Sequence, residues 1–227
     1  MLINCVGDSH ANFFSGYDIP QPEWPGENIR NRYPFFKCYR LGPVLAYNLC
    51  EENTTTQGRE KLFQLLAELD PGSYLLFCFG EIDCRAHIYL QSQKQKRTTG
   101  DIVTEVVERY FLAIKEVQEL GFNTLVWNVI PSAPSDINER IHVPSQYLFH
   151  GTSRERNDIT GQFNRSLTLL CQEYNIPFIS IFDQLINREG TVRRDYYCDE
   201  IHLGQTAMPL VLKQFNDVFP GFYFVME

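Results

Sequence analysis

At 227 residues, with 44% hydrophobic and 21% charged residues, the chain is sized for one domain (1–227) around one core, and its composition excludes a largely disordered polypeptide. A formal net charge of −8 excludes the basic surface that nucleic-acid binding requires and disfavours docking on anionic lipid. No run reaches the roughly eighteen apolar residues of a membrane span, so neither nucleic acid nor a membrane is an expected partner. The seven cysteines form no C-x-x-C pair, and Met1 leads into an apolar run with no signal-peptide pattern, so a reducing, cytoplasmic setting is expected.

Strand-like and helix-like patterns alternate along the chain. Leu2 to Val6 reads as a buried first strand ended by Gly7, and Phe36 to Arg40 as a second, stopped at Gly42 and followed by a helix from Val44 to Leu49. Lys61 to Leu69 is helical, Asp70-Pro71-Gly72 is a turn, and Tyr74 to Phe79 is a third strand ended by Gly80. From Ile102 to Leu120 apolar residues recur at i, i+3, i+4 and i+7, and Gly121 supplies the stop. Thr124 to Ile130 is a fourth strand closed by Pro131 and Pro134, and a long irregular stretch runs on to about Arg156. Asp158 to Tyr174 is helical, Phe178 to Phe182 is a fifth strand, and Thr206 to Val218 is the last helix. The order predicts an α/β fold: a three-layer α/β/α sandwich of flavodoxin-like plan with about five parallel strands.

In such open sheets ligands bind at the carboxyl ends of the strands. The polar clusters fall there: Gly7-Asp8-Ser9-His10 after the first strand, Gly42 after the second, Gly80-Glu81-Ile82-Asp83-Cys84-Arg85 after the third, and Asp199-Glu200-Ile201-His202 before the last helix. A serine hydroxyl needs an imidazole to take its proton and a third group to orient that imidazole. Ser9 stands at a strand-to-helix turn, and Asp199 and His202 are three apart, so one turn can bring carboxylate to imidazole. Asp-x-x-His alone is a weak signal, expected by chance in roughly one chain in four of this length. Gly-Asp-Ser directly after the first strand is far rarer, and the two together carry the argument.

With these residues the chain resembles the SGNH/GDSL hydrolases over nearly its whole length. Gly7-Asp8-Ser9 is similar to the family's first block, Gly42 to its second and Asp199-x-x-His202 to its last. The resemblance implies a flavodoxin-like sandwich, Ser9 as nucleophile with His202 and Asp199, the Gly42 N–H in the oxyanion hole, no required cofactor or metal, and hydrolysis or transfer of an ester-linked acyl group. The third block departs: where the family has Gly-x-Asn-Asp, this chain reads Gly80-Glu81-Ile82-Asp83, with isoleucine in place of the oxyanion-hole asparagine. Glu81, Asp83 and Arg85 are then substrate or oxyanion candidates, with Arg85 replacing the asparagine or gripping an anionic part of the substrate.

Plainer readings stand beside these. Ser9 alone could be a helix N-cap, Glu81, Asp83 and Arg85 a structural ion-pair network, His10 and His87 surface or supporting residues, and Arg154 and Arg156 a solvated loop face. The leading expectation is a serine esterase acting on a short acyl ester, acetyl on a carbohydrate being the candidate, with a small-molecule or carbohydrate ester as partner. An acyltransferase using the same triad and a degenerate glycan- or ester-binding protein are the alternatives. A metal phosphoesterase, suggested by Asp8-x-His10, lacks the further ligand blocks that a two-metal site needs.

Overall fold

The computed structural model describes residues 1–132 and 148–224. Short, mainly apolar runs form β1 (Ile3–Gly7), β3 (Tyr74–Cys78), β4 (Asn123–Trp127) and β5 (Phe178–Ile179), and an alternating segment with Lys37 exposed forms β2 (Phe36–Arg40). All pair in parallel, in the order β2-β1-β3-β4-β5, so the chain steps outward in both directions from β1 and β3. Strands of a parallel sheet are covered on both faces, which is why β1 reads as an unbroken buried run.

Alternation along each strand decides which layer a side chain joins. Val6, Leu75, Phe77 and Val126 pack with the helices α1 (Gly58–Ala67), α3 (Thr99–Glu119) and α4 (Ser153–Glu173) on one face. Their neighbours Cys5, Leu76, Cys78 and Trp127 meet a 3₁₀ segment (Ser9–Ser15) and α6 (Met208–Val218) on the other, through Phe14, Val211 and Phe215. The result is the expected three-layer α/β/α sandwich. Each fully buried leucine or phenylalanine in these layers contributes roughly 1.5–3 kcal/mol by leaving water.

The structure departs from the sequence expectations at several element ends. The helix expected over Val44 to Leu49 shrinks to a 3₁₀ turn at Ala46–Asn48, since Leu45 is extended and the turn starts only where the Asp83 carboxylate accepts the N–H groups of Ala46 and Tyr47 at 2.8 and 3.2 Å. Asp83–His87 is a π-helical turn that runs into α2 (Ile88–Gln95), a helix absent from the sequence reading. The α4 helix begins at Ser153 rather than Asp158, started by a capping box in which Thr152 and Glu155 bond reciprocally. The fifth strand is only Phe178–Ile179, and the short α5 (Phe182–Leu185) follows at once. Pro134 lies outside the described residues. All seven cysteines are free thiols, and none of the described helices is long and apolar enough to cross a membrane.

Candidate active site

The end of β1 brings Ser9 to the sheet edge. A Cβ on Gly7 would stand 2.2 Å from the Cys78 carbonyl oxygen, so only glycine lets β1 approach β3 this closely. Asp8 caps the 3₁₀ segment, its Oδ1 accepting the His10 N–H at 2.8 Å, and burial pushes its carboxyl above the ordinary value. Ser9 is therefore the first residue of the segment and not its cap.

The partners come from the opposite end of the chain. Tyr197 and Leu203 form an isolated antiparallel bridge, the Cys198 N–H donates to the His202 carbonyl at 3.1 Å, and the Tyr197 hydroxyl donates to the Pro131 carbonyl at 2.7 Å. This closed loop holds Asp199 opposite His202. Asp199 Oδ1 accepts the N–H groups of Ile201 and His202, both at 2.6 Å, while Oδ2 lies 2.8 Å from His202 Nδ1. Across the chain, His202 Nε2 lies 2.9 Å from Ser9 Oγ. A carboxylate only accepts, so Nδ1 carries the proton and Nε2 is free to accept from the serine hydroxyl. Partial burial pushes the Asp199 carboxyl up, but the bonds from His202 and Ile201 outweigh it and hold the group well below the usual carboxylate range.

A second polar group lies behind the first. The His10 ring sits 4.9 Å from that of His202, inclined by 37°, and its Nε2 is 3.1 Å from Glu81 Oε2. Arg85 Nε donates to both Glu81 oxygens, at 2.8 and 3.0 Å, and the guanidinium lies over the Phe149 ring, 4.7 Å from its centre. Arg156 covers the same ring at 5.0 Å and donates to Ser132 Oγ at 2.8 Å and the Gly151 carbonyl at 2.6 Å. It is fully buried in α4, where the sequence suggested a solvated loop face. Glu81 is desolvated, yet Arg85 and His10 together bring its carboxyl down to about 2. Burial disfavours a charge on His10, but Glu81 and Asp8 outweigh it and raise its value. Burying several ions costs several kcal/mol each, and a shifted cluster of this kind beside Ser9 marks a functional candidate.

The remaining sequence candidates take other positions. Asp83 is 1% exposed and commits its two oxygens to Ala46 and Tyr47, and burial raises its carboxyl to about 7. Gly42 follows β2 with φ +98°, beside the Glu23 carboxylate, and its N–H meets no acceptor among the described residues. Ile82 is buried. The structure thus brings Ser9, His202 and Asp199 together, joins Glu81 and Arg85 to them through His10, and gives Asp83 to the backbone after β2. His10 is buried, so of the surface and supporting positions considered from the sequence it takes the supporting one. The readable signal was its place next to Ser9, opposite an acid and a base three and seven residues beyond the end of β3.

A cavity of about 20 Å³ opens beside Ser9 and His202, walled by Phe13, Ile19, Trp127, Ile130 and Leu203, with His10 and Asn12 also lining it. Asp8 and His10, which could open a two-metal site, are engaged with the helix start and with Glu81. No group of three or more His, Cys, Asp or Glu side chains among the described residues is placed to hold a metal ion.

The parallel sheet order, with its site at the strand ends, is the fold of GDSL-like hydrolases. The chain is similar to a GDSL-like lipase from Bacteroides thetaiotaomicron (12% identity, TM-score 0.53, covering 95% of this chain and 87% of that one). It is similar also to the acetyl xylan esterase AlAXEase (13%, TM-score 0.51, 96% of this chain and 100% of that one) and to the OSK domain of Drosophila Oskar (13%, TM-score 0.55, 95% of this chain and 86% of that one). No protein-family model matches the sequence, and no curated protein matches it.

Proposed function

We propose that this protein is a serine esterase that hydrolyses a short acyl ester, an acetyl group on a carbohydrate being the best-fitting case, through an acyl-Ser9 intermediate. The observation that carries the reading is the unbroken line from Ser9 Oγ to His202 Nε2 at 2.9 Å and from Nδ1 to Asp199 at 2.8 Å. The apolar side chains beside Ser9 suit the acyl part of an ester.

In this reading Ser9 Oγ attacks the ester carbonyl while its proton passes to His202 Nε2. Asp199 stabilises the imidazolium and keeps the ring in orientation. The backbone N–H groups of Ser9 and Gly42 donate to the oxygen that becomes negative. Collapse of the tetrahedral intermediate expels the alcohol, which takes the proton from Nε2. Water then repeats the sequence at the acyl-Ser9 carbonyl, His202 acting first as base and then as acid, and frees the carboxylic acid. Glu81 and Arg85 act through His10, and Asp83 fixes the turn after β2 that carries on from Gly42. An acceptor hydroxyl in place of that water would make the same site an acyltransferase.

The buried Ile82, which offers no donor, favours one other reading: a protein that binds an ester without turning it over. The test is intact mass after incubation with a fluorophosphonate, on the wild type and on Ser9→Ala. One adduct on the wild type and none on the variant is the expected result. A folded wild type that takes no adduct would overturn the esterase reading in favour of binding alone.

A further inference from the structure

One amide in the Ser9 cavity is unaccounted for. Asn12 is 7% exposed and its Oδ1 accepts the Gln21 N–H at 3.1 Å, while its Nδ2 is buried with no hydrogen-bond partner. Only oxygen can accept from a backbone N–H, so this bond identifies the two ends of the amide. An unpaired buried donor is destabilising, having lost its bonds to water and gained none. The bond to Gln21 gives no reason to bear that cost. Gln21 ties down the loop after the 3₁₀ segment, its Oε1 accepting the Arg30 N–H at 3.0 Å and its carbonyl accepting from Arg40 Nη1 at 3.1 Å. Holding that loop requires an acceptor at position 12, and the NH₂ group adds nothing to it.

The type of helix places this amide near the nucleophile. A 3₁₀ helix has three residues per turn, so side chains at i and i+3 eclipse one another. Ser9 and Asn12 therefore stand on the same face of the segment, one turn apart, and both line the cavity with His202. Such an amide, held in orientation by the Gln21 N–H, is a preorganised, uncharged donor.

We propose that Asn12 is a catalytic residue, its Nδ2–H donating to the substrate carbonyl oxygen as that oxygen takes up negative charge. The ligand class is an uncharged oxygen ester. As the Ser9 Oγ–carbon bond forms, the carbonyl π pair moves onto this oxygen and the hydroxyl proton goes to His202. Asn12 loses and gains no proton. The inference rests on the acyl-Ser9 reading and adds to it a third donor, carried by the first segment, where position 82 carries none.

The experiment compares Asn12→Asp and Asn12→Ala with the wild type, using 4-nitrophenyl acetate turnover on the plateau of the pH profile, fluorophosphonate labelling and thermal unfolding. Asp retains an acceptor for Gln21 and removes the donor, whereas Ala removes both. Both variants are expected to lose about a hundredfold in kcat with KM changed only a few-fold, and Asn12→Asp to unfold near the wild-type temperature. Asn12→Asp with wild-type kcat on the plateau overturns the proposal, and impairment of Asn12→Ala alone would assign Asn12 to the Gln21 loop. A wild type that takes no fluorophosphonate overturns the acyl-Ser9 reading itself, an outcome distinct from a labelled wild type whose Asn12 variants are unimpaired.

Discussion

His10 and His202 face each other at 4.9 Å, yet they answer to different carboxylates: His202 to the half-exposed Asp199 at 2.8 Å, His10 to the buried Glu81 at 3.1 Å. Two imidazoles this close would repel if both were charged without compensation. Each therefore faces a carboxylate of its own, and Glu81 is shared between His10 and Arg85. Arg85 in turn neutralises Glu81 from the far side.

Glu81→Gln is expected to destabilise the fold by about 3–5 kcal/mol, because Arg85 and His10 lose their shared counter-ion in a dry site. The pH dependence has a definite sign. The folded value of His10 is raised above its ordinary 6.5, so its contribution is fully present below that pH and is lost as pH rises through the raised value. Urea unfolding of wild type and variant across this window should show the wild type losing its advantage toward alkaline pH. An unchanged difference at every pH would rule out the Glu81–His10 pair as the source.

Asp83 acts with the same sign in a lower window. Burial raises its carboxyl from 3.8 to about 7, so the folded state holds the proton more tightly than the unfolded chain. Its contribution is fully present below about pH 4 and declines as pH rises to about 7, by on the order of a few kcal/mol. Asp83→Asn carries no such titration. The difference in urea midpoint between wild type and Asp83→Asn should therefore change between pH 4 and pH 7 and level off above it.

Much of this architecture is legible in the chain itself. Buried parallel strands are near-continuous apolar runs, so β1, β3 and β4 announce themselves, whereas the edge strand β2 alternates apolar residues with Lys37 and Arg40; Ser9, Asp199 and His202 are the candidates for a triad. What stays hidden is set by contacts distant in sequence. The turn after β2 is held by a carboxylate from the segment after β3, which takes its first two N–H groups. Glu81 and Arg85 are one helical turn apart, but their link to His10 exists only once β1 and β3 pair. The start of α4 is a different case. Thr152-x-x-Glu155 is a readable capping box, yet Arg154, Glu155, Arg156 and Asn157 offer no apolar periodicity, and Arg156 is buried against Phe149 despite its charge.

Thr152→Ala tests that helix start. Loss of the side-chain oxygen frees the Glu155 N–H and removes the hydroxyl that donates to Glu155 Oε2, while the backbone N–H of residue 152 still donates to that carboxylate. A cost of about 1 kcal/mol is expected, read as a lower urea midpoint with ester turnover unchanged. A fall in turnover would instead show that the Gly151–Thr152 corner, which receives Arg156, reaches the reaction.

Asp199→Asn separates geometry from charge. The asparagine oxygen can still accept the N–H groups of Ile201 and His202, so the loop closed by Tyr197 and Leu203 should keep its shape and the unfolding temperature should stay close to that of the wild type. Its NH₂ group, however, would donate to His202 Nδ1. The ring proton then moves to Nε2, and the nitrogen facing Ser9 can no longer accept. Turnover is expected to fall by about 10³-fold or more, and fluorophosphonate labelling of Ser9 should slow in parallel, since both need the same proton transfer. Because Asp199 is held well below the usual carboxylate range, the wild type keeps this charge, and the stability that its bonds supply, as pH falls past the ordinary value of 3.8. That contribution is lost only as pH passes the lower folded value. A labelling rate unaffected by Asp199→Asn would mean that His202 is oriented by its packing against His10 rather than by Asp199.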